Sequence, residues 1–230
     1  MPFWHTAAYN WVTGALFAVG ALLFMLGATF VLGEPYFAVP SGWTISITFF
    51  AGSIPFTMAG YLQHFQAANA GPFRMAGETV SRRRIALIGW QPDSPGWIST
   101  FTQFVGTLAF NVNTFNAING PSGWLLQDLA IWLPGLVGSI LFLVSGYLAY
   151  IETGHAHASF APRELAWWIV AINLLGCIAF MVSGILAYVP RTPWPDWVAT
   201  LGTANLWFGA LCFFVGAVLL MRESRLAGAR

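Results

Sequence analysis

Gly176-Cys-Ile-Ala-Phe-Met-Val-Ser-Gly184 sets a glycine, a phenylalanine four positions on and a second glycine four positions later in one apolar stretch. Five other stretches of the chain repeat it: Gly20, Phe24, Gly27; Gly52, Phe56, Gly60; Gly106, Phe110, Asn113; Gly138, Phe142, Gly146; and Gly209, Phe213, Gly216. Spacings of three and four residues share one face of a helix. Small residues on such a face let a neighbouring backbone approach, which is how helices associate in lipid. The pattern therefore predicts an all-α, polytopic membrane protein, a bundle of six transmembrane helices held by a repeated small-xxx-Phe-xxx-small motif.

Composition agrees. Of 230 residues 57% are hydrophobic and 7% charged, against about 25% charged in soluble domains. Runs of roughly twenty apolar residues, enough to cross about 30 Å of hydrocarbon, are bracketed at 11–32, 43–62, 98–118, 129–151, 165–189 and 198–221. They make residues 1–230 a single transmembrane domain. The longest connection, 65–97, is too short to bury a core of its own. A net charge of +1 without a basic face excludes nucleic acid as a partner.

The first apolar run lacks preceding Lys or Arg and a cleavage site, so it reads as an uncleaved span. Cys177 and Cys212 lie inside spans and read as small apolar packers. Orientation rests on arginine, since there is no lysine: Arg191 stands alone on one side, and all other arginines fall on the side of the termini. By the positive-inside bias both termini are cytoplasmic.

Within the loop, Arg82, Arg83 and Arg84 precede Ile85, Leu87, Ile88 and Trp90. This order fits a segment lying on the membrane, its arginines on lipid headgroups, and equally a solvated loop whose arginines only fix topology. Pro55 in the second span predicts a kink. The third span is unusually polar. Gln103, Thr107, Asn111 and Thr114 share one face, with Gly106, Asn113 and Asn116 on the next. Such groups hydrogen-bond neighbouring helices or line a path for a small neutral solute.

Spans four and five share Gly, Ile, Phe, Val, Ser, Gly, Leu, Ala and Tyr in register, from Gly138 to Tyr150 and from Gly176 to Tyr188. Duplication explains this, and it places Gly138, Phe142 and Gly146 against Gly176, Phe180 and Gly184 of an antiparallel neighbour. Spans one and four also match, from Gly20 and Gly138 to Glu34 and Glu152, so the helix motif repeats with a larger period of either two helices or three.

No glycine-rich phosphate loop, Gly-x-Ser-x-Gly elbow or catalytic carboxylate pair is present, so no catalytic residue is assigned. No Asp, Glu, Arg or His falls near the middle of a span, which disfavours a charge-coupled pump. Glu152, His155 and His157, with His64 on the same side, are the one group with metal-ligand chemistry. A transition metal or a haem there is the alternative to an expectation of no cofactor.

Gln103-Phe-Val-Gly-Thr-Leu-Ala-Phe-Asn-Val-Asn-Thr-Phe115, Ile172-Asn-Leu-Leu-Gly-Cys-Ile-Ala-Phe180 and Gly209-Ala-Leu-Cys-Phe-Phe-Val-Gly-Ala217 resemble uncharacterised bacterial integral membrane proteins with YrhK-like helices. Gly52-Ser-Ile-Pro-Phe56 shares the likeness more loosely. The resemblance implies a bacterial membrane and lends no activity or site. The function expected is non-enzymatic: packing with lipid, an apolar ligand, a membrane protein partner or a second copy. The alternatives are a carrier or pore for a neutral solute along Gln103, Asn111, Asn113, Thr114 and Asn116, and metal or haem binding at His64, His155 and His157.

Overall fold

The structure, a computed structural model, describes residues 2–70 and 85–229. After a short 3-10 turn, Phe3–His5, six long helices follow: α1 Ala7–Gly33, α2 Gly42–Asn69, α3 Pro95–Ile118, α4 Trp124–Gly154, α5 Leu165–Leu186 and α6 Asp196–Gly228. No strand occurs among the described residues. Thr6, Ser41 and Ser94 cap α1, α2 and α3 by accepting from the backbone N–H three residues on, which satisfies donors that a helix start leaves open. α2 stays helical through Pro55 to Asn69, and α6 continues to Gly228, past the expected span.

Five of these helices are long and apolar enough to cross a membrane; α3 is long enough but too polar. The bundle is apolar outward, as lipid requires. Val19, Leu22 and Leu26 of α1 and Ile178, Val182 and Ile185 of α5 face out, while Thr13, Ser53, Thr107 and Ser139 are buried.

The helices form a ring. Each packs on its neighbours in sequence, and α6 closes on α1. Glycine sets the spacing within three antiparallel pairs. A Cβ built on Gly106 of α3 would lie 2.7 Å from the Phe142 ring and 3.2 Å from the Gly138 carbonyl oxygen of α4. One on Gly138 would reach the Gly106 carbonyl at 3.1 Å and Phe110 at 3.2 Å. Gly20 of α1 faces Gly52 of α2 at 2.8 and 3.1 Å, and Gly176 of α5 faces Gly209 of α6 at 3.1 and 3.0 Å. A side chain at Gly20, Gly106 or Gly209 would force the facing phenylalanine to shift, and one at Gly52, Gly138 or Gly176 would crowd the opposite helix by a few tenths of an ångström.

This geometry corrects the expected partners of the motif. Gly138 and Gly176 do not face each other but turn to α3 and α6. The α4–α5 contact falls to the second glycines, Gly146 against Cys177 and Gly184 against Ser139, whose Oγ donates to the Phe180 carbonyl at 3.2 Å. Each motif thus serves two neighbours.

The six motif phenylalanines, Phe24, Phe56, Phe110, Phe142, Phe180 and Phe213, meet inside the ring. Neighbouring ring centroids stand between 5.1 and 6.5 Å apart, many edge to face, the favoured aromatic geometry. Each lies four residues, about 6 Å, past its glycine. Since successive helices alternate direction, Phe56, Phe142 and Phe213 form a layer toward the end that holds both termini, and Phe24, Phe110 and Phe180 form a second layer behind it.

Candidate functional site

Above the layer of Phe142 and Phe213, toward the termini, the ring opens into a vestibule of about 380 Å³. All six helices line it, with Phe17 from α1, Gln63 from α2, Gln103 from α3, Ser145 from α4, Asn173 from α5 and Leu220 from α6. Register accounts for this set. Phe17, Gln103 and Asn173 each stand three residues before the motif glycine of α1, α3 and α5, and Gln63, Ala149 and Leu220 stand eleven after it in α2, α4 and α6. The N-terminal turn leans over the mouth, where His5 joins the lining. Gln66 holds that turn by donating to the Trp4 carbonyl at 2.7 Å and to Asn10 Oδ1 at 3.0 Å, and Trp4 meets Phe65 edge to face.

No Asp, Glu, Lys or Arg belongs to this lining among the described residues. Apart from the His5 imidazole at the mouth and the Cys177 thiol, its polar side chains are amides and hydroxyls. Ser99 Oγ donates to the Ser145 carbonyl at 2.9 Å, whereas Asn173 Oδ1, buried against Gly216, has no hydrogen-bond partner among the described residues. Phe17, Phe142 and Phe213, almost wholly buried, close the vestibule beneath, and Ala149, Val170 and Leu220 add to the apolar wall.

No protein family, curated protein or solved structure matches the chain. The geometry must carry the functional reading alone.

The polar residues of α3 separate by neighbour. Asn111 Nδ2 donates to Thr57 Oγ1 at 2.9 Å, and Thr114 Oγ1 lies 3.2 Å from Ser53 Oγ, both on α2. Asn113 and Asn116 turn to α4, donating at 2.7 Å to the Ile131 and Ala130 carbonyls. The reason lies in Pro134. It has no N–H for the carbonyl four residues back, that of Ala130, and residues Asp128–Trp132 widen into a π turn, a helix irregularity of the kind that frees carbonyls. Of the five residues expected along a solute path only Gln103 reaches the vestibule; the rest tie α3 to its neighbours.

Replacing Asn116 with Leu is accordingly expected to cost about 1–3 kcal/mol by orphaning the half-buried Ala130 carbonyl. In a Pro134→Ala background, whose N–H can satisfy that carbonyl, the cost should fall by at least half. A double-mutant cycle on unfolding in detergent measures this, and equal costs in both backgrounds would refute the assignment.

The histidines are dispersed. His64 is fully buried, with Nδ1 3.2 Å from Thr100 Oγ1 and its ring among Trp97, Phe101 and Phe104. His157 Nδ1 lies 2.8 Å from the Tyr147 hydroxyl. His155, at φ 50°, ends α4 in the left-handed conformation. Glu152 reaches the first turn of α3, where a Cβ on Gly96 would meet its carboxylate at 2.8 Å, a favourable place for negative charge. Among the described residues no three His, Cys, Asp or Glu side chains stand together as a metal site.

Arg82, Arg83 and Arg84 lie outside the described residues. The segment after them is anchored: Asn69 donates to the Ala86 carbonyl at 2.7 Å and accepts from the Ala86 N–H at 3.0 Å, while Trp97 Nε1 donates to the Ile88 carbonyl. Ile85, Leu87, Ile88 and Trp90 are left exposed beside the end of α2. On the opposite end Asp128 is buried, its carboxylate accepting from the Val189 N–H at 3.0 Å, and Arg191 stacks over Trp124.

Sequence reasoning missed Gln63, Ser145 and Asn173. Aligning the six motifs on their glycines would have found the register that brings these positions to one cavity.

Proposed function

We propose that the chain is a six-span protein of the bacterial inner membrane with both termini cytoplasmic, and that it acts without chemistry of its own by holding a small uncharged molecule in the vestibule. The observation that carries this reading is a cavity built by all six helices, free of Asp, Glu, Lys and Arg among the described residues, with one imidazole, His5, at its mouth and phenylalanine beneath it. Cavities of this size and mixed lining are where proteins receive small ligands.

α3 counts as the sixth span because its polar groups turn inward while Leu108, Val112 and Phe115, one stripe of the helix, face out. Orientation is supported by the arginines, only one of which, Arg191, lies on the far end. The reciprocal glycine contacts favour three copies of a helix hairpin, α1–α2, α3–α4 and α5–α6, over a three-helix repeat. Passage of a small neutral solute is the second reading. It is favoured by the vestibule standing directly on the phenylalanine layers, whose displacement would open a path.

The test is chemical access. In a Cys177→Ala/Cys212→Ala background, Gln103→Cys in isolated membranes is expected to be alkylated by N-ethylmaleimide at least ten times faster than Cys177 of the native protein, which is 2% exposed. A thiol at 103 as inert as Cys177 would remove the vestibule as a binding site.

A further inference from the structure

The vestibule also describes its occupant. Resting on the reading above, we infer that the molecule it takes is an uncharged amphiphile with a compact apolar body and a head that both donates and accepts hydrogen bonds, of the chemical class of a carboxamide. The floor requires the apolar part. Phe142 and Phe213 meet edge to face at 5.6 Å and with Phe17 close the cavity beneath, themselves almost wholly buried, while Ala149, Val170 and Leu220 add aliphatic wall, so the part of a ligand that rests here is apolar.

The walls require the head. The asparagines of α3 and most other interior amides are committed: Gln66, Asn69, Asn111, Asn113 and Asn116 all donate to protein atoms. Three amides instead converge on the vestibule from α2, α3 and α5, namely Gln63, Gln103 and Asn173. Asn173 Oδ1, set against Gly216, has no partner among the described residues and so, like Asn111 Oδ1, is one of the few buried polar atoms left unsatisfied; meeting it requires the Asn173 side chain to turn toward the vestibule. An amide carries donors and an acceptor together, so a head able to do the same complements all three.

Charge is selected against. An anion or cation placed here loses its hydration and meets no Asp, Glu, Lys or Arg among the described lining residues, the His5 imidazole standing at the mouth. Amides and hydroxyls answer a neutral dipole without that loss.

The experiment compares two molecules of one shape, 1-naphthylacetamide and 1-naphthylacetate, by saturation-transfer NMR and equilibrium dialysis on the protein in nanodiscs, with empty nanodiscs subtracted. The amide is expected to bind at least ten times more tightly than the carboxylate. Asn173→Leu and Gln103→Met, which keep side-chain volume and remove the amide, should weaken the carboxamide at least ten-fold and leave naphthalene, the body alone, within three-fold. Equal binding of amide and carboxylate, unchanged binding in both variants, or no binding by protein whose Gln103→Cys form is readily alkylated would overturn this inference and leave the vestibule reading standing. Absence of both binding and alkylation would remove the two together.

Discussion

Phe142→Ala is expected to destabilise the folded protein by about 3–5 kcal/mol, the cost of emptying a large, closely packed site. Phe142 is 1% exposed and meets Phe56, Phe110, Phe180 and Phe213, so four helices besides its own lose contacts at once. The comparison that isolates packing from loss of a ring is Phe208→Ala. That side chain lies on the outer face at 41% exposure, where detergent or lipid replaces it, and its removal should cost less than about 1 kcal/mol. Reversible unfolding in mixed micelles measures both. Similar costs at the two positions would mean that the phenylalanine layers are not the core.

Gly106→Leu is the second substitution with a large effect, at or above the upper end of the roughly 1–3 kcal/mol typical of overpacking. The first carbon alone would stand 2.7 Å from the Phe142 ring and 3.2 Å from the Gly138 carbonyl. The ring could turn, but the backbone of α4 cannot move away without losing the bonds from Asn113 and Asn116 to its π turn. Val112→Leu, on the outward stripe of the same helix, should be nearly neutral. Size-exclusion profiles and melting of the two variants decide the matter: a monodisperse Gly106→Leu protein with unchanged melting would show that α3 and α4 do not meet at this glycine.

Much of the fold could be read from residues alone, because hydropathy depends only on composition over twenty positions. The six helices fall where the apolar runs lie, and Gly176 and Phe180 are buried while Gly184 is half-buried. Periodicity tells which face of a helix is small, but not which helix it meets. That is why Gly138 was paired with α5 when it faces α3. Asn113 and Asn116 illustrate a second limit. Their partners exist only because Pro134 and the π turn free the carbonyls of α4, a backbone event no side-chain pattern announces. The vestibule was hidden for a third reason: Gln63, Ser145 and Asn173 are unremarkable in their own spans and become a site only when six separate helices are brought to one register.

A cavity that opens toward the termini and is closed beneath by phenylalanine makes a sided prediction. In sealed vesicles of known orientation, carrying Gln103→Cys in the Cys177→Ala/Cys212→Ala background, a small membrane-impermeant sulfonated thiol reagent should label the protein only when applied on the face that holds the two termini. Labelling from the opposite face alone, or equally from both, would contradict the account.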